Sequence, residues 1–279
     1  MGFLSRNISF KKPLKLSVWR KVSISSWRVT HDSSIVSMLE LDPEPAQKFL
    51  QSQAVPGAPK LTLTHYTGWV IAKVFAQNPE INCMVRWGKL YPRKTADICF
   101  LVAAGGGKGG DEDLSAHVVR QADLKSITEV ALDLQIQAAP IKDGKDSTFQ
   151  GIKQLLKFFP HFIRQPLVNL ADFIMNTLNL WSPLLGIERD AFGSFMLTSV
   201  GSLGIEFAIP RIYPQSRNPL IVSVGRVSEQ PVVKNGQVVV GKRLKIVFTA
   251  DHRVIDGVHA AYLLTQIREL FENPSDATH

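Results

Sequence analysis

Apolar and polar positions along the chain sort into two rhythms. IVSMLEL (35–41) alternates loosely, the period of two expected of a strand with one face buried. Pro43 and Pro45 close it, and PEPAQKFLQSQ predicts a short helix entered through proline. AVPGAP (54–59) is a loop. LTLTHYTGWVIAKVFAQNP (61–79) has a Thr cap, a largely apolar surface and a proline stop, which predicts a buried helix over about 64–77. INCMVRWGKLYPR predicts two short strands around Trp87-Gly88. DICFLVAAGGG predicts a further strand that runs into glycines.

Helical spacing returns over 126–138 and ends near Pro140 and DGKDS. Two more amphipathic stretches follow. Ile152, Leu155, Leu156 and Phe159 share one face; Pro160 breaks that helix. Leu167, Leu170, Ile174, Leu178 and Trp181 then recur at steps of three and four, with Asn169, Asp172, Asn176 and Asn179 opposite. Pro166 fits a first turn and Pro183 a stop. The last third is rich in β-branched residues: FMLTSV, PLIVSVGRV, QVVVG and LKIVFTA, with an Asn235-Gly236 hairpin turn. A helix then opens after Asp256-Gly257, with Ala260, Leu264, Ile267 and Phe271 as its buried stripe. Strands and helices do not alternate regularly, so the pattern predicts an α+β fold with a large mixed sheet.

Composition narrows this picture without changing it. The chain has 279 residues, 45% of them hydrophobic and 20% charged. That is ordinary for a globular protein able to bury a core without staples. Cys83 and Cys99 lack metal-ligand spacing and sit in apolar runs, which points to reduced thiols and a cytoplasmic location. The formal net charge is +8. Arg6, Lys11, Lys12, Lys15, Arg20, Lys21 and Arg28 all precede the first acid, Asp32. Such an arm attracts nucleic acid, an anionic membrane or an acidic protein, or is simply a solvated edge. No nucleic-acid module accompanies it, so no nucleic-acid partner is expected. Arg6 stands where an N-myristoylation signal needs Ser or Thr, and no secretory leader pattern is present. GGGKGG (105–110) lacks the Lys-Ser/Thr step of a phosphate loop, because Gly109 follows Lys108; it predicts a hairpin tip.

FTADHRVIDGVHAA (248–261) is where chemistry concentrates: a strand ends on His252, close to a glycine turn. His252 is either a tautomer-locked structural residue or a general base. FMLTSVGSLG (195–204), PLIVSVGRV, PVVKNGQVVVGKRLKI, DHRVIDG (251–257) and LFENP (270–274), with NPEINCMVRWGKLYPR (78–93) and RKVSISSW (20–27) upstream, resemble the catalytic domain of the 2-oxoacid dehydrogenase dihydrolipoamide acyltransferases. These belong to the chloramphenicol acetyltransferase-like superfamily. Asp251, rather than a second His before His252, favours the 2-oxoacid branch.

The resemblance implies a coenzyme A-dependent acyltransferase that moves an acyl group between thiols. A thiol titrates near 8.5, so a neutral imidazole must take its proton as it attacks. That role falls to His252. The resemblance gives Thr198 the oxyanion-stabilising hydroxyl, with Ser199 as fallback, and lets Gly201 bring the backbone close. It makes Asp256 a structural carboxylate paired with Arg20, and Gly257 the residue that permits the turn into the last helix. It also implies a homotrimer with the site between subunits, a 24-subunit cage being the alternative assembly. Acyl-CoA is the expected substrate, and no metal is expected.

The organisation expected is a basic arm (1–15), an acyltransferase catalytic-type domain (16–274) with an extended helical segment (146–190), and a polar tail (275–279). No lipoyl group is expected on this chain, so the acyl group arrives on a separate lipoyl or other thiol carrier. GGDEDLSAHVV replaces a loop of the family and alters one wall of the presumed channel. Two rival readings remain: a non-catalytic scaffold of the same fold, and a peripheral membrane contact through the basic arm and the 166–181 helix.

Overall fold

The computed structural model describes residues 5–15, 33–104, 113–142, 161–183 and 188–278. Its strands are β1 (Ser5–Arg6), β2 (Ser34–Leu41), β3 (Cys83–Arg86), β4 (Lys89–Pro92), β5 (Ile98–Ala104), β6 (Asp113–Val119), β7 (Leu180–Trp181), β8 (Phe195–Ser199), β9 (Leu220–Lys234) and β10 (Gln237–Asp251). Its α-helices are α1 (Glu44–Ser52), α2 (Leu63–Gln77), α3 (Ile127–Lys142), α4 (His161–Asp172) and α5 (Gly257–Glu272). Six strands form one sheet in the order β2-β10-β9-β8-β5-β6. β8 runs parallel to both β5 and β9, and the other pairs are antiparallel. The expected α+β fold with a mixed sheet is the one observed.

One face of the sheet carries Ile98, Phe100, Phe195, Leu197, Val222, Val224, Ile246 and Phe248, all buried in the main core. α2 lies across that face. Its run TGWVIA is buried on every side, which is why the segment needs no polar stripe. Thr62 caps it by accepting from the His65 amide at 3.2 Å. Its two aromatic polar tips find carbonyls: Tyr66 Oη donates to Leu270 and Trp69 Nε1 to Lys125. The opposite face holds a smaller cluster of Cys99, Ala116, Val118, Met196 and Ile221.

The long β9–β10 hairpin closes through Asn235 (φ 52°) and Gly236 (φ 78°), the left-handed pair that an Asn-Gly turn supplies. Its base brings the end of β10 beside β2, where Asp251 pairs with Ser34.

The segment expected to be one helix over 166–181 differs. α4 starts at His161 with Pro166 inside it; a π-helical turn follows at Phe173–Thr177, and Leu180–Trp181 pairs with β1. The polar side explains the early end. Asp172 takes an ion pair from Arg217, Asn176 donates to Gln215 O, and Asn179 turns left-handed (φ 57°) to bind both Ile8 N and Ile8 O. Leu170, Phe173 and Leu178 are instead exposed. The glycine run 105–110, the helix expected around 152–159 and the segment resembling the family's first helix lie outside the described residues.

Candidate active site

Asp251 ends β10 and starts a tight turn. Its carbonyl accepts from both Val254 N and Ile255 N at 2.9 Å. Its side chain, 7% exposed, is gripped by Arg253 through Nε at 3.0 and 3.1 Å and Nη2 at 2.6 Å. Arg253 N (2.9 Å) and Ser33 Oγ (3.1 Å) donate to the same carboxylate. This is a bidentate, charge-assisted clamp with its residual lone pairs satisfied. His252 sits between the two clamped residues, and its own amide donates to Ser33 O at 2.9 Å.

The half-buried His252 ring therefore stands on a fixed backbone. Its Nδ1 lies 3.1 Å from Ile255 O. A carbonyl can only accept, so Nδ1 carries the hydrogen and Nε2 is the basic nitrogen of the neutral ring. The ring is locked in the tautomer a general base needs.

Asp256 follows as the N-cap of α5. Oδ1 accepts from Val258 N at 3.1 Å and His259 N at 3.0 Å. The His259 ring also donates from Nδ1 to this oxygen at 2.6 Å. The expected partner Arg20 lies outside the described residues. Gly257 needs a correction: its φ is not left-handed, and an added Cβ would meet nothing within 4 Å. The turn into α5 is made by Asp256 capping, not by glycine freedom. His259 and the Asp251–Arg253 clamp were missed in the sequence. Their signals were there: Asp and Arg flanking His252, and a His three residues after the capping Asp.

Thr198 is partly exposed near the end of β8, paired with Leu101 and Ser223 on either side. It shares a face with Met196 and the smaller cluster, and Ser199 points to the other face. A strap over 203–209 crosses β9 on the Thr198 side. Ser223 Oγ donates to Ala208 O at 2.5 Å, and Arg226 N to Ile205 O at 3.0 Å. The crossing is so close that a Cβ at Gly225 would lie 1.7 Å from Glu206 O. Gly201 is equally confined, 2.4 Å from Gly225 O by the same measure. Leu203, Ile205, Phe207 and Ile209 leave their side chains exposed along this strap.

Within one chain, Thr198 and His252 are not brought together. The register puts Thr198 level with Ser223, whereas Asp251 N bonds Pro219 O, four residues back along β9. With β9 between β8 and β10, that is a separation of roughly 15 Å from strand geometry. Among the described residues no cluster of three or more His, Cys, Asp or Glu could hold a metal, and no helix is long and apolar enough to cross a membrane.

Residues 188–278 match the family of 2-oxoacid dehydrogenases acyltransferase (catalytic domain). The dihydrolipoyllysine-residue succinyltransferase component of the 2-oxoglutarate dehydrogenase complex of Haemophilus influenzae is 33% identical over 205 residues, 74% of this chain and 39% of that protein. A probable dihydrolipoamide acetyltransferase structure from Listeria monocytogenes has a TM-score of 0.62 at 18% identity, covering 94% of each chain. Chloramphenicol acetyltransferase has a TM-score of 0.50 at 9% identity, covering 93% of this chain and 100% of its own. The fold is thus chloramphenicol acetyltransferase-like. The chain spans 16%, 20% and 39% of the length of three curated relatives it matches.

Proposed function

We propose that this chain, whose residues 188–278 carry the acyltransferase catalytic-domain sequence of the 2-oxoacid dehydrogenases, moves an acyl group between two thiols, coenzyme A being one of them. The observation that carries this reading is the tautomer of His252, fixed by Ile255 O with the basic Nε2 as the proton acceptor. As the thiol sulfur attacks the thioester carbonyl, Nε2 takes the S–H proton. The new C–S bond leaves a tetrahedral oxyanion, and Thr198 Oγ1 of a neighbouring subunit donates a hydrogen bond to it. Collapse breaks the other C–S bond, and the departing thiolate recovers the proton from Nε2. Ser199 faces away from Thr198 on β8 and is the weaker candidate. Asp256 and His259 act on the helix that supports the turn. They do not reach the sulfur in this scheme.

The separation of Thr198 from His252 within one chain supports a homotrimer with the site at the subunit seam. The exposed apolar strap beside Thr198 is the surface such a seam would cover. The acyl group reaches it on acyl-CoA or on a lipoyl or other thiol carrier. Cys83 and Cys99 are both buried thiols, which supports a reducing, cytoplasmic setting.

Acyl transfer from a panel of acyl-CoAs to dihydrolipoamide tests the reading. His252→Ala should lose about a hundredfold or more in kcat with its fold intact by circular dichroism. Thr198→Val should lose on the order of a hundredfold. Mixing the two inactive variants after dissociation and reassembly should restore part of the activity, since mixed subunits contain one intact seam. A wild-type protein as inert as His252→Ala across the panel would leave a scaffold, and no recovery on mixing would remove the shared site.

A further inference from the structure

At the sheet end where β5 and β8 begin, far from the strap, a cavity of about 410 Å³ opens among Asn7, Arg93, Lys94, Asp97, Arg120, Arg189 and Asp190. That size falls in the range of small-molecule sites. Four cations face two carboxylates, a surplus of two. Asp190 is paired with Arg93 Nη1 at 2.7 Å and lies 3.4 Å from Arg120 Nη1; Asp97 is 3.2 Å from Arg120 Nη1. The two acids are thus offset by the two arginines. Lys94 and Arg189 remain, and neither has a carboxylate partner among the described residues. Arg189 Nε donates only to a neutral carbonyl, Asn7 O, at 2.7 Å.

The walls are set without a ligand. Asp97 accepts from Gln121 N at 2.8 Å and Thr95 Oγ1 at 3.1 Å. Gly193 closes the segment behind it at φ 56°, where an added Cβ would lie 2.8 Å from Asp97 O. Arg93 is 4% exposed, and its Nε is a buried donor without a hydrogen-bond partner. Buried donors are rarely left so. A preformed concave wall with excess positive charge favours a compact polyanion, because the ordering cost is already met. A single chloride would leave most of the space unfilled.

We propose that this cavity is a second ligand site, for a small multivalent anion of the phosphate class. It shares a sheet end with the His252 turn but lies three strand spacings away, roughly 14 Å.

The experiment is calorimetric titration of the full chain with inorganic pyrophosphate, with citrate and chloride at matched ionic strength as comparisons. Pyrophosphate should bind saturably and raise Tm, citrate more weakly, and chloride not at all. Lys94→Gln with Arg189→Gln, both on exposed side chains, should weaken pyrophosphate by about tenfold or more, the scale of losing charge-assisted contacts. His252→Ala should bind as wild type does. Absence of saturable binding, an unchanged affinity in the double variant, or loss of binding in His252→Ala would each overturn the site. Tighter binding of citrate would overturn the phosphate class.

Discussion

The turn at His252 and the strand end at Thr198 are built in opposite ways. The first is closed within its own chain: carboxylate, guanidinium, hydroxyl and amides of residues 33 and 251–256 satisfy one another around the imidazole. The second is open. Thr198 is partly exposed, and the strap beside it turns Leu203, Ile205, Phe207 and Ile209 outward. A base must be held in one tautomer before substrate arrives, so local closure suits it. A hydroxyl that only has to meet an oxyanion can wait for a second surface to complete its surroundings.

The strongest way to break this contrast is to open the closed half. Asp251→Ala takes the clamping carboxylate away from the Arg253 side chain, 18% exposed, and removes the acceptor for Ser33. Unfolding by denaturant should show a loss of about 1.5–3 kcal/mol, the scale of hydrogen bonds to a charged group. A loss below about 1 kcal/mol would mean the clamp is an ordinary surface pair.

A second test reaches the floor beneath the open half. His65 on α2 packs edge-on against Phe100, whose strand neighbour is Leu197. Burial lowers its pKa to about 4. The unfolded chain, titrating near 6.5, binds the proton more readily than the folded one between these values. The stabilisation is therefore full above about pH 6.5 and is lost as pH falls toward 4. Unfolding free energy should drop by roughly 2–3 kcal/mol over that window, and His65→Leu should flatten the slope. An unchanged slope would place the acid sensitivity elsewhere.

Smaller effects sharpen the comparison. Asp256→Ala removes the α5 cap and should cost about 1 kcal/mol, with a proportionately small change in kcat. Phe207→Ser on the open half should alter subunit stability by less than about 0.5 kcal/mol, as exposed positions do. Light scattering should nonetheless show a shift toward monomer; an unshifted mass would mean the strap is not the seam.

Much of this was legible in the sequence because the controlling forces are local. The Thr62 cap placed α2 within a residue or so, and Asn235-Gly236 fixed the register of β9 and β10. The period of two found β2, and apolar, β-branched runs found β5 and β10. DHRVIDG marked the turn, yet its Asp–Arg clamp was missed, because the flanking charges become a pair only once the turn brings them together. The 166–181 reading missed for the opposite reason. Its polar residues were placed opposite the apolar ones on one continuous helix, but Asp172 and Asn179 meet Arg217 and Ile8, which no period reveals. The Arg93–Asp190–Arg120–Asp97 cluster is likewise drawn from distant stretches of chain. The distance between Thr198 and His252 depends on strand order, which the residues alone did not give.

The pairing of β2 with β10 also sets a timetable. Among the described residues β2 is one of the sheet's two outer strands, and its neighbour is β10, roughly 200 residues further along. A ribosome adding about 5–20 residues per second leaves β2 waiting on the order of 10–40 s for that neighbour. Until then Val36, Leu39 and Leu41 have no strand to lie against. Nascent chains stalled before β10 should therefore need a chaperone, and the imidazole arrives together with Asp251, Arg253 and Ile255, to meet Ser33 at the moment the fold can close.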